Sequence, residues 1–333
     1  INEFKRLLAI NLPVNQGMIK TFECSRQESI LQAGLRAGLP LRYKCTNGSC
    51  GECKTQLIEG EVRTIGHQDF HLSPQEQQQG WFLSCTHAPK STLNIAAPMF
   101  NTVQQIPHQC IQAKVKKISL VDKKLAILTL RTPRSNTFQF LAGQNVVLSH
   151  HYTERCYPIA SCPCSGGELE FHIRNRDSDP FSQRLFNTLK RGETVTIKGP
   201  QGQFSLDEHS TRHLVFIAWE HGFAPIRSLV EHFISLEMDN PVSLYWIAKQ
   251  QPYMENHANS WHSVLDPFDY HWVQPQSTDF ETQAIQLLDI IQEDLLLEMS
   301  DFYISVPAPM LITLSELLLT AGVDEAQLHA SPI

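Results

Sequence analysis

Three successive patterns of hydrophobic and polar residues run along the chain. The first third contains one short amphipathic segment, Gln27–Gly38. Ile30, Leu31 and Leu35 share one side of it, and its final glycine favours the end of a helix. The middle third has short alternating runs separated by turns rich in Gly, Asp, Asn and Pro, which is typical of strands. The predicted strands are Ala113–Ser119, Leu125–Arg131, Asn145–His150, Leu169–Ile173 and Thr194–Lys198. Regular short strands predict a small antiparallel barrel.

The last third of the chain, from about Thr211, alternates hydrophobic strands with helices. The predicted strands are His213–Trp219, Val242–Ala248 and Phe302–Val306, and the predicted helices are Pro225–Leu236, Ile285–Glu298 and Leu311–Ala321. This alternation predicts an α/β unit with a parallel sheet. A chain of 333 residues is too long for a single core. The three patterns therefore predict an α+β multidomain protein whose domains span residues 1–100, 101–208 and 209–333.

Composition restricts the partners and the compartment. The chain carries a net charge of −7 and is 42% hydrophobic, an ordinary globular composition whose negative charge argues against a nucleic-acid partner. No apolar run approaches the length of a membrane span, and the densest run, Leu214 to Trp219, is a buried-strand candidate. No secretory pattern is visible, so we expect a cytoplasmic protein. The numbering starts at Ile1, and whether residues precede it stays open.

Four cysteines have a spacing with chemical meaning. Cys45, Cys50 and Cys53 follow the pattern C-x4-C-x2-C, and Cys85 comes after 31 further residues. This is the ligand spacing of a plant-type [2Fe–2S] cluster, which passes one electron at a time. The glycines between these cysteines let the loop backbone curl so that its N–H groups face the cluster sulfurs. The alternatives are a zinc site, which usually has two CxxC pairs, and a disulfide set, which needs an oxidising compartment.

Five cysteines remain after the cluster is assigned: Cys24, Cys110, Cys156, Cys162 and Cys164. An odd remainder in a chain without a secretory segment predicts free thiols. Cys162-Pro163-Cys164 is an alternative redox pair, although a disulfide across a single residue is strained.

The first two regions resemble known families. Residues 1–100 resemble a plant-type ferredoxin domain of the β-grasp fold. The barrel region resembles the ferredoxin–NADP reductase superfamily through two motifs. They are Arg155-Cys156-Tyr157-Pro158-Ile159-Ala160-Ser161, which matches R-x-Y-[S/P]-x-A-S, and Gly199-Pro200-Gln201-Gly202-Gln203-Phe204, which matches G-P-x-G-x-F. The resemblance implies a flavin-binding barrel, with FAD favoured over FMN by the family's domain order. The alternative is a barrel that keeps its strands without a flavin.

The resemblance also implies roles for residues of the first motif. Arg155 would pair with the flavin pyrophosphate, since a guanidinium suits phosphate oxygens. Tyr157 would pack on the isoalloxazine beside Pro158, and Ser161 would lie near the ring.

Between the two motifs the implied cofactor residues are His172, Arg174 and Ser182. Ser182 belongs to a predicted helix from Phe181 to Lys190, and in the family the N-terminal amides of this helix hold the pyrophosphate. Here the glycine that opens the helix is missing, and Asp177 and Asp179 stand beside the expected phosphate site.

The third region resembles the nucleotide-binding domain of the same superfamily, but its small residues are lost. The family sequence A-G-G-T-G-I-A-P reads Ala218-Trp219-Glu220-His221-Gly222-Phe223-Ala224-Pro225 here. An indole and a carboxylate thus replace two glycines that let a dinucleotide approach the backbone. The family sequence C-G-P-x-x-M reads Ser305-Val306-Pro307-Ala308-Pro309-Met310, and G-A-R reads Ile247-Ala248-Lys249. These changes predict weakened use of NAD(P)H, with Lys249 and Ser305 as remaining contacts.

The order of domains resembles the reductase components of bacterial ring-hydroxylating dioxygenases and multicomponent monooxygenases, and the reductases of deoxysugar synthesis. It implies hydride transfer from NAD(P)H to a flavin, then single electrons through the cluster to a protein redox partner such as an oxygenase. Three hypotheses compete. The first is an oxidoreductase of this kind; the alternative is a non-enzymatic electron carrier, or an assembly subunit whose third domain is a docking scaffold.

Overall fold

Three main sheets, built from successive parts of the chain, organise the protein. The computed structural model describes residues 7–14, 19–100 and 103–333. Ile1, and residues 101–102 where we expect the second domain to begin, lie outside the described residues. The described elements follow the three predicted patterns in order, which confirms the α+β fold class.

The first sheet is mixed, and two short helices belong to the same part of the chain. Its elements are β1 (Leu7–Pro13), β2 (Ile19–Ser25), α1 (Ile30–Arg36), β3 (Lys54–Glu59), β4 (Val62–Thr64), α2 (Pro74–Gln78), β5 (Trp81–Leu83), β6 (His87–Pro89) and β7 (Leu93–Ala96). The strand order is β2-β1-β7-β3-β5, with β1 parallel to β7 and the other neighbours antiparallel. Strands β4 and β6 form a separate pair.

Helix α1 is shorter than the predicted segment because a capping box fixes its start. Ser29 Oγ accepts a hydrogen bond from the Gln32 backbone N–H at 3.2 Å, and the Gln32 side chain accepts from the Ser29 backbone N–H. Both orphan donors of the first turn are thereby satisfied. The apolar side buries Ile30, Leu31 and Leu35 in the core of the first sheet, as predicted.

The second sheet is antiparallel throughout. Its elements are β8 (Gln109–Leu120), β9 (Leu125–Arg131), β10 (Asn145–His150), β11 (Thr153–Pro158), β12 (Glu168–Arg174), α3 (Pro180–Asn187) and β13 (Thr194–Gln201). The order is β11-β10-β13-β8-β9-β12, and the two edge strands approach each other so that the sheet curls around one core. Strand β11 was not predicted, because as an edge strand it buries only Tyr157 and shows no hydrophobic alternation.

The third sheet is parallel and covered by helices on both faces. Its elements are β14 (His213–Trp219), α4 (Phe223–Ser235), β15 (Val242–Ile247), α5 (Glu255–Ser260), β16 (Phe268–Val273), α6 (Phe280–Asp294), β17 (Ser300–Ser305), α7 (Ala308–Thr320) and β18 (Leu328–Ala330). The order is β16-β15-β14-β17-β18. One face packs on α4 and α5, the other on α6 and α7. Within the described residues, no helix has the length and apolar character to cross a membrane.

A network of partly buried charges joins the second sheet to the third. Glu170 on β12 pairs with Arg227 on α4, which also pairs with Glu231 at 2.7 Å. Glu231 in turn lies 3.0 Å from His257 on α5. Burial would raise the pKa of Glu170, but the hydrogen bond from His172 and the charge of Arg227 outweigh it and lower the pKa to about 2. This network fixes how β12 and α4 pack together.

The remaining cysteines differ in part from the prediction. Cys24, Cys110 and Cys156 are free thiols, as predicted. Cys162 and Cys164 are joined by a disulfide, so the prediction of free thiols is wrong for this pair. The short 3₁₀ turn that begins at Pro163 brings their Cα atoms to 5.1 Å, within the range that a disulfide bridges.

Gly222, between β14 and α4, gives a prediction about packing. A Cβ at this position would lie 2.2 Å from the Ser305 carbonyl oxygen on β17. We expect Gly222→Ala to lower the free energy of unfolding by about 1–3 kcal/mol, since backbone atoms must move apart. Urea unfolding followed by tryptophan fluorescence measures this, because Trp219, Trp246, Trp261 and Trp272 all lie in the third sheet and its helices.

The matched control is Gly66→Ala, where the nearest atom would be 3.7 Å from the new Cβ. This variant should unfold at the wild-type urea concentration. Equal stability of both variants would contradict the close approach of Gly222 to β17.

Candidate functional site

The four predicted cluster cysteines lie at one end of the first sheet. Cys45, Cys50 and Cys53 come from the loop between α1 and β3, and Cys85 follows β5. Cys45, Cys53 and Cys85 are buried, whereas Cys50 is half-buried. Cys45 is in side-chain contact with Cys50, and Cys53 with Cys85. The structure therefore brings the four thiols together as two pairs.

Two thiol pairs fit a binuclear cluster better than a single ion. A single tetrahedral metal ion would need all four sulfurs around one point. A [2Fe–2S] cluster instead needs four thiolates divided between two irons. Burial would raise the pKa of Cys45, but hydrogen bonds from the Cys50 side chain and the Asn47 backbone outweigh it and lower the pKa to about 7. The pKa of Cys53 is likewise lowered by its contact with Cys85, whereas burial raises the pKa of Cys50 and the contact with Cys53 raises that of Cys85. One thiol of each pair, Cys45 or Cys53, is therefore the more acidic one.

Two glycines give the cysteine loop its shape. Gly48 and Gly51 have φ of +78° and +80°, the left-handed region. A Cβ on Gly48 would lie 2.8 Å from the His67 carbonyl oxygen, and a Cβ on Gly51 would lie 2.5 Å from the Phe70 ring. The Glu52 backbone N–H donates to Cys50 Sγ at 3.4 Å. The tight path of the loop directs backbone donors at sulfur, as predicted.

The outer edge of the cysteine loop opens onto a shallow depression of about 380 Å³. Cys50 lies in its wall together with Arg42, Lys54, Phe70 and Trp81. The Lys54 ammonium lies 5.5 Å from the centroid of the Phe70 ring and 2.9 Å from a Glu76 carboxylate oxygen. Of the four cysteines, Cys50 is the one that reaches this depression.

The inner edge of the cysteine loop is anchored to the second sheet region. The Thr46 backbone N–H donates to the Arg134 carbonyl oxygen at 2.7 Å, and the Thr137 N–H donates to the Lys44 carbonyl oxygen at 2.8 Å. These two bonds lie on either side of Cys45. The buried cysteine is therefore held by the loop after β9.

A second candidate site is a cavity of about 470 Å³ between the second and third sheets. Its walls include the predicted residues Arg155, Tyr157, Pro158, His172 and Arg174. The other lining residues are Asn145, Val147, Glu154, Cys156, Arg176, Asp179, His221, Ser331, Pro332 and Ile333. Arginines suited to phosphate and an aromatic wall suited to a ring fit a flavin nucleotide.

Two predicted serines do not reach the cavity wall. Ser161 Oγ accepts a hydrogen bond from the Glu170 N–H at 3.1 Å, and its carbonyl oxygen accepts from Ser228 Oγ at 2.8 Å. Ser182 Oγ donates to the Asp179 carbonyl oxygen at 2.9 Å and accepts from the Arg176 N–H at 3.1 Å. Both hydroxyls hold neighbouring backbone, and their contact with a cofactor stays a prediction.

His172 lies in the cavity wall with both ring nitrogens engaged. Nδ1 lies 2.6 Å from the Tyr253 hydroxyl, and Nε2 lies 3.1 Å from Glu170 Oε1. Burial lowers the pKa of His172, so the ring is neutral, with Nε2–H donating to Glu170 and Nδ1 accepting from Tyr253. His172 thus links the cavity to the network of partly buried charges.

Asp179 stands at the start of α3, beside the expected phosphate site. Its carboxylate accepts hydrogen bonds from the backbone N–H groups of Phe181 and Ser182 at 3.0 and 3.1 Å. It also accepts from the Tyr157 hydroxyl, and burial together with this contact raises the pKa of Tyr157. The first amides of α3 are therefore satisfied by the protein itself.

Two lining residues were missed by the sequence analysis. Arg176 follows β12, and His221 lies in the turn between β14 and α4. An Arg176 guanidinium nitrogen lies 3.2 Å from His221 Nε2. Arg176 could have been predicted as a further cavity residue, because it lies two residues after Arg174. The position of His221 could not, because it depends on how the second and third sheets meet.

The turn after β14 has the changes that the sequence indicated. Trp219 Nε1 donates to Gln283 Oε1 at 3.1 Å, and its ring lies 6.0 Å from the Arg174 guanidinium. Glu220 adopts φ of +49°, and its carboxylate accepts from the Lys249 backbone N–H at 3.2 Å. A carboxylate and a fixed indole thus occupy the turn where the family has bare backbone.

At the end of β17, neither Ser305 nor Val306 belongs to the cavity wall. Ser305 is buried, and its hydroxyl has no partner within the described part of the chain. Val306 does not line the cavity; it packs in the core formed with α6 and α7. Val306, which stands where the family sequence has a glycine, therefore adds its bulk to that core and not to the cavity wall.

Two families match successive parts of the chain. Residues 14–90 match the family described as 2Fe-2S iron-sulfur cluster binding domain, and residues 112–206 match the oxidoreductase FAD-binding domain. These matches confirm the predicted [2Fe–2S] cluster and FAD as cofactors.

Curated relatives cover most of the chain. A CDP-6-deoxy-L-threo-D-glycero-4-hexulose-3-dehydrase reductase of Yersinia pseudotuberculosis is 32% identical over 262 residues, 78% of each chain. Reductase component 1 of a terephthalate 1,2-dioxygenase of Comamonas sp is 28% identical, covering 75% of this chain and 74% of that one. Among solved structures, the ferredoxin reductase in carbazole 1,9a-dioxygenase has a TM-score of 0.59 at 23% identity, covering 98% of each chain, which shows a shared fold.

The cysteine geometry predicts one cluster per chain with Cys85 as an essential ligand. We expect wild-type protein to contain about two irons and two sulfides and to give a rhombic electron paramagnetic resonance signal after dithionite reduction. Cys85→Ser should lose this signal, because one iron loses a thiolate. The exposed Cys110→Ser is the control and should keep the signal. Zinc in place of iron in the wild-type protein would contradict the assignment.

His221 predicts a loss of stability in mild acid. Burial, and then the charge of Arg176, lower the pKa of His221 from 6.5 to about 3. Below pH 6.5 the unfolded chain binds a proton at this histidine, whereas the folded chain keeps the ring neutral. The free energy of unfolding therefore falls as the pH falls from 6.5 towards 3. At pH 5 this amounts to about 2 kcal/mol.

Urea unfolding at pH 7 and pH 5 measures this loss. His221→Asn should remove that part of the difference, and the exposed His209→Asn should retain it. An unchanged difference in His221→Asn would assign the acid sensitivity to other groups.

Proposed function

The chain belongs to the family of reductases that join a [2Fe–2S] domain to an FAD-binding domain, and from this premise we propose the route of its electrons. The protein is an iron–sulfur flavoprotein that passes single electrons to a redox partner. FAD supplies the conversion of an electron pair into single electrons, and the cluster carries these one at a time. We propose that electrons enter the cluster loop at Cys45 and leave it at Cys50.

One observation carries this proposal: the cysteine loop has an anchored side and an open side. Cys45 is buried between the two backbone hydrogen bonds to Arg134 and Thr137. Cys50 lies in the open depression with Arg42 and Lys54. A fixed inner side supports a constant separation from the flavin, and an open outer side supports contact with a second protein.

The proposed acceptor is a metal-containing enzyme component that docks at the Cys50 edge. Relatives are named as reductases for a dehydrase and for dioxygenases, so we propose an acceptor of one of these kinds. The proposed domains are residues 1–100 for the cluster, 101–208 for FAD and 209–333 for the nucleotide-like part. We place the protein in the cytoplasm, because the cluster cysteines and the free thiols Cys24, Cys110 and Cys156 suit a reducing compartment, in which the Cys162–Cys164 disulfide would be the exception.

The proposed roles in the flavin cavity follow its walls. Arg155 and Arg174 bind phosphate oxygens, and Tyr157 with Pro158 covers the ring. His172 orients the cavity wall through Glu170 and Tyr253, because neither ring nitrogen is free to contact a ligand.

The proposed hydride donor is NAD(P)H. We expect it to react more slowly here than it would with a glycine turn after β14. Relatives named as reductases favour this reading over the alternative of a non-enzymatic carrier or scaffold subunit. Glu220 occupies the Lys249 amide with its own carboxylate, and Trp219 is held by Gln283. A phosphate must displace the first contact and oppose the Glu220 charge, which costs about 1–4 kcal/mol.

Anaerobic stopped-flow mixing with NADH and with NADPH tests the donor. Flavin bleaching should be slow in the wild type and at least about 10-fold faster in the double variant Trp219→Gly with Glu220→Gly. The reason is that Trp219 and Glu220 each raise the barrier to hydride transfer, or weaken nucleotide binding, by about 1–3 kcal/mol. The control is Glu237→Gly, which, like Glu220→Gly, replaces a glutamate with positive φ in the third region. Fast bleaching of the wild type by micromolar NADH would instead show a fully working site.

A further inference from the structure

The start of α3 cannot offer its amides to a phosphate. The Asp179 carboxylate accepts from the Phe181 and Ser182 N–H groups and is itself buried. A phosphate at this position would have to remove that carboxylate and would meet its charge. The pyrophosphate of FAD therefore needs another set of donors in this chain.

Three arginines on the cavity wall have no competing carboxylate. Arg155, Arg174 and Arg176 all line the cavity, and within the described part of the chain none forms an ion pair with Asp or Glu. The two carboxylates on the same wall are engaged, Glu154 with Lys198 at 3.0 Å and Asp179 at the helix start. Guanidinium groups are well suited to bind pairs of phosphate oxygens.

Arg176 is held rigidly for such a contact. Its backbone N–H donates to Ser182 Oγ at 3.1 Å, and its carbonyl oxygen accepts from Gln183 Nε2 at 3.1 Å and from the Asp179 N–H at 3.0 Å. Its guanidinium donates to Nε2 of His221 at 3.2 Å. Because a guanidinium has five N–H donors, most remain for a ligand.

We propose that Arg176 is a ligand of the FAD pyrophosphate and replaces the α3 amides that Asp179 occupies. The inference rests on the FAD site described above. It adds a binding residue outside the R-x-Y motif, and it assigns Ser182 the task of fixing the Arg176 backbone. It also places the pyrophosphate beside both Arg176 and Asp179, so each side chain gives an independent test.

The first test is FAD titration of flavin-free protein, followed by flavin fluorescence, with Arg176→Gln. We expect the dissociation constant to rise about 10- to 100-fold, since a charge-assisted contact is lost. The visible spectrum of FAD at saturation should stay that of the wild type, because the ring environment is untouched. The control, Arg191→Gln, removes an exposed arginine of the same region and should bind FAD as the wild type does.

An unchanged dissociation constant in Arg176→Gln would overturn the proposal, and so would a loss of affinity accompanied by an altered spectrum.

The second test keeps Arg176 and uses Asp179→Asn, whose amide oxygen can still cap α3. Removal of the charge beside the phosphates should tighten FAD binding about 3- to 10-fold. No gain in affinity would place the pyrophosphate elsewhere. Failure of the proposed function would give a different result. Wild-type protein would then contain FAD and the cluster but would reduce no acceptor.

Discussion

The backbone pairing between the cysteine loop and the loop after β9 is the contact on which the other features depend. Electron transfer between two cofactors needs a fixed separation, and side-chain contacts alone would let the first sheet move against the second. Hydrogen bonds on both sides of Cys45 join the two backbones instead. These bonds therefore fix the cluster loop to the flavin part of the molecule, although the cysteine ligands come from the region of the first sheet.

Protein carboxylates accept hydrogen bonds from backbone amides at both candidate nucleotide sites. Asp179 accepts from the first amides of α3, and Glu220 accepts from the amide of Lys249. The wall of the flavin cavity also carries three arginines. The turn after β14 instead carries Trp219, whose indole is fixed by Gln283 and lies beside Arg174. The two sites thus share a carboxylate at a backbone amide and differ in the side chains around it.

Local signals in the sequence predicted much of this structure. The cysteine spacing is local apart from Cys85, and the buried strands of the third sheet are continuous apolar runs, so both were found. Strand β11 was missed because an edge strand shows little alternation, although its R-x-Y motif was recognised. Arg176 and His221 were missed because they meet only when the second and third sheets pack together. The burial of Val306 could not be predicted, because the pattern gives its place directly after β17 but not the core that its side chain enters.

The partly buried charges between β12 and α5 constrain which substitutions this protein tolerates. Removing one member leaves its partner unpaired in a partly desolvated place, at a cost below the roughly 3–5 kcal/mol of a fully buried pair, whereas replacing the whole set by apolar residues can be neutral. Single exchanges of Glu170, Arg227, Glu231 or His257 are therefore less favourable than a joint exchange. We expect the junction between the flavin part and the nucleotide-like part to change as a unit. Surface loops and the mouth of the cavity can diverge around it one residue at a time.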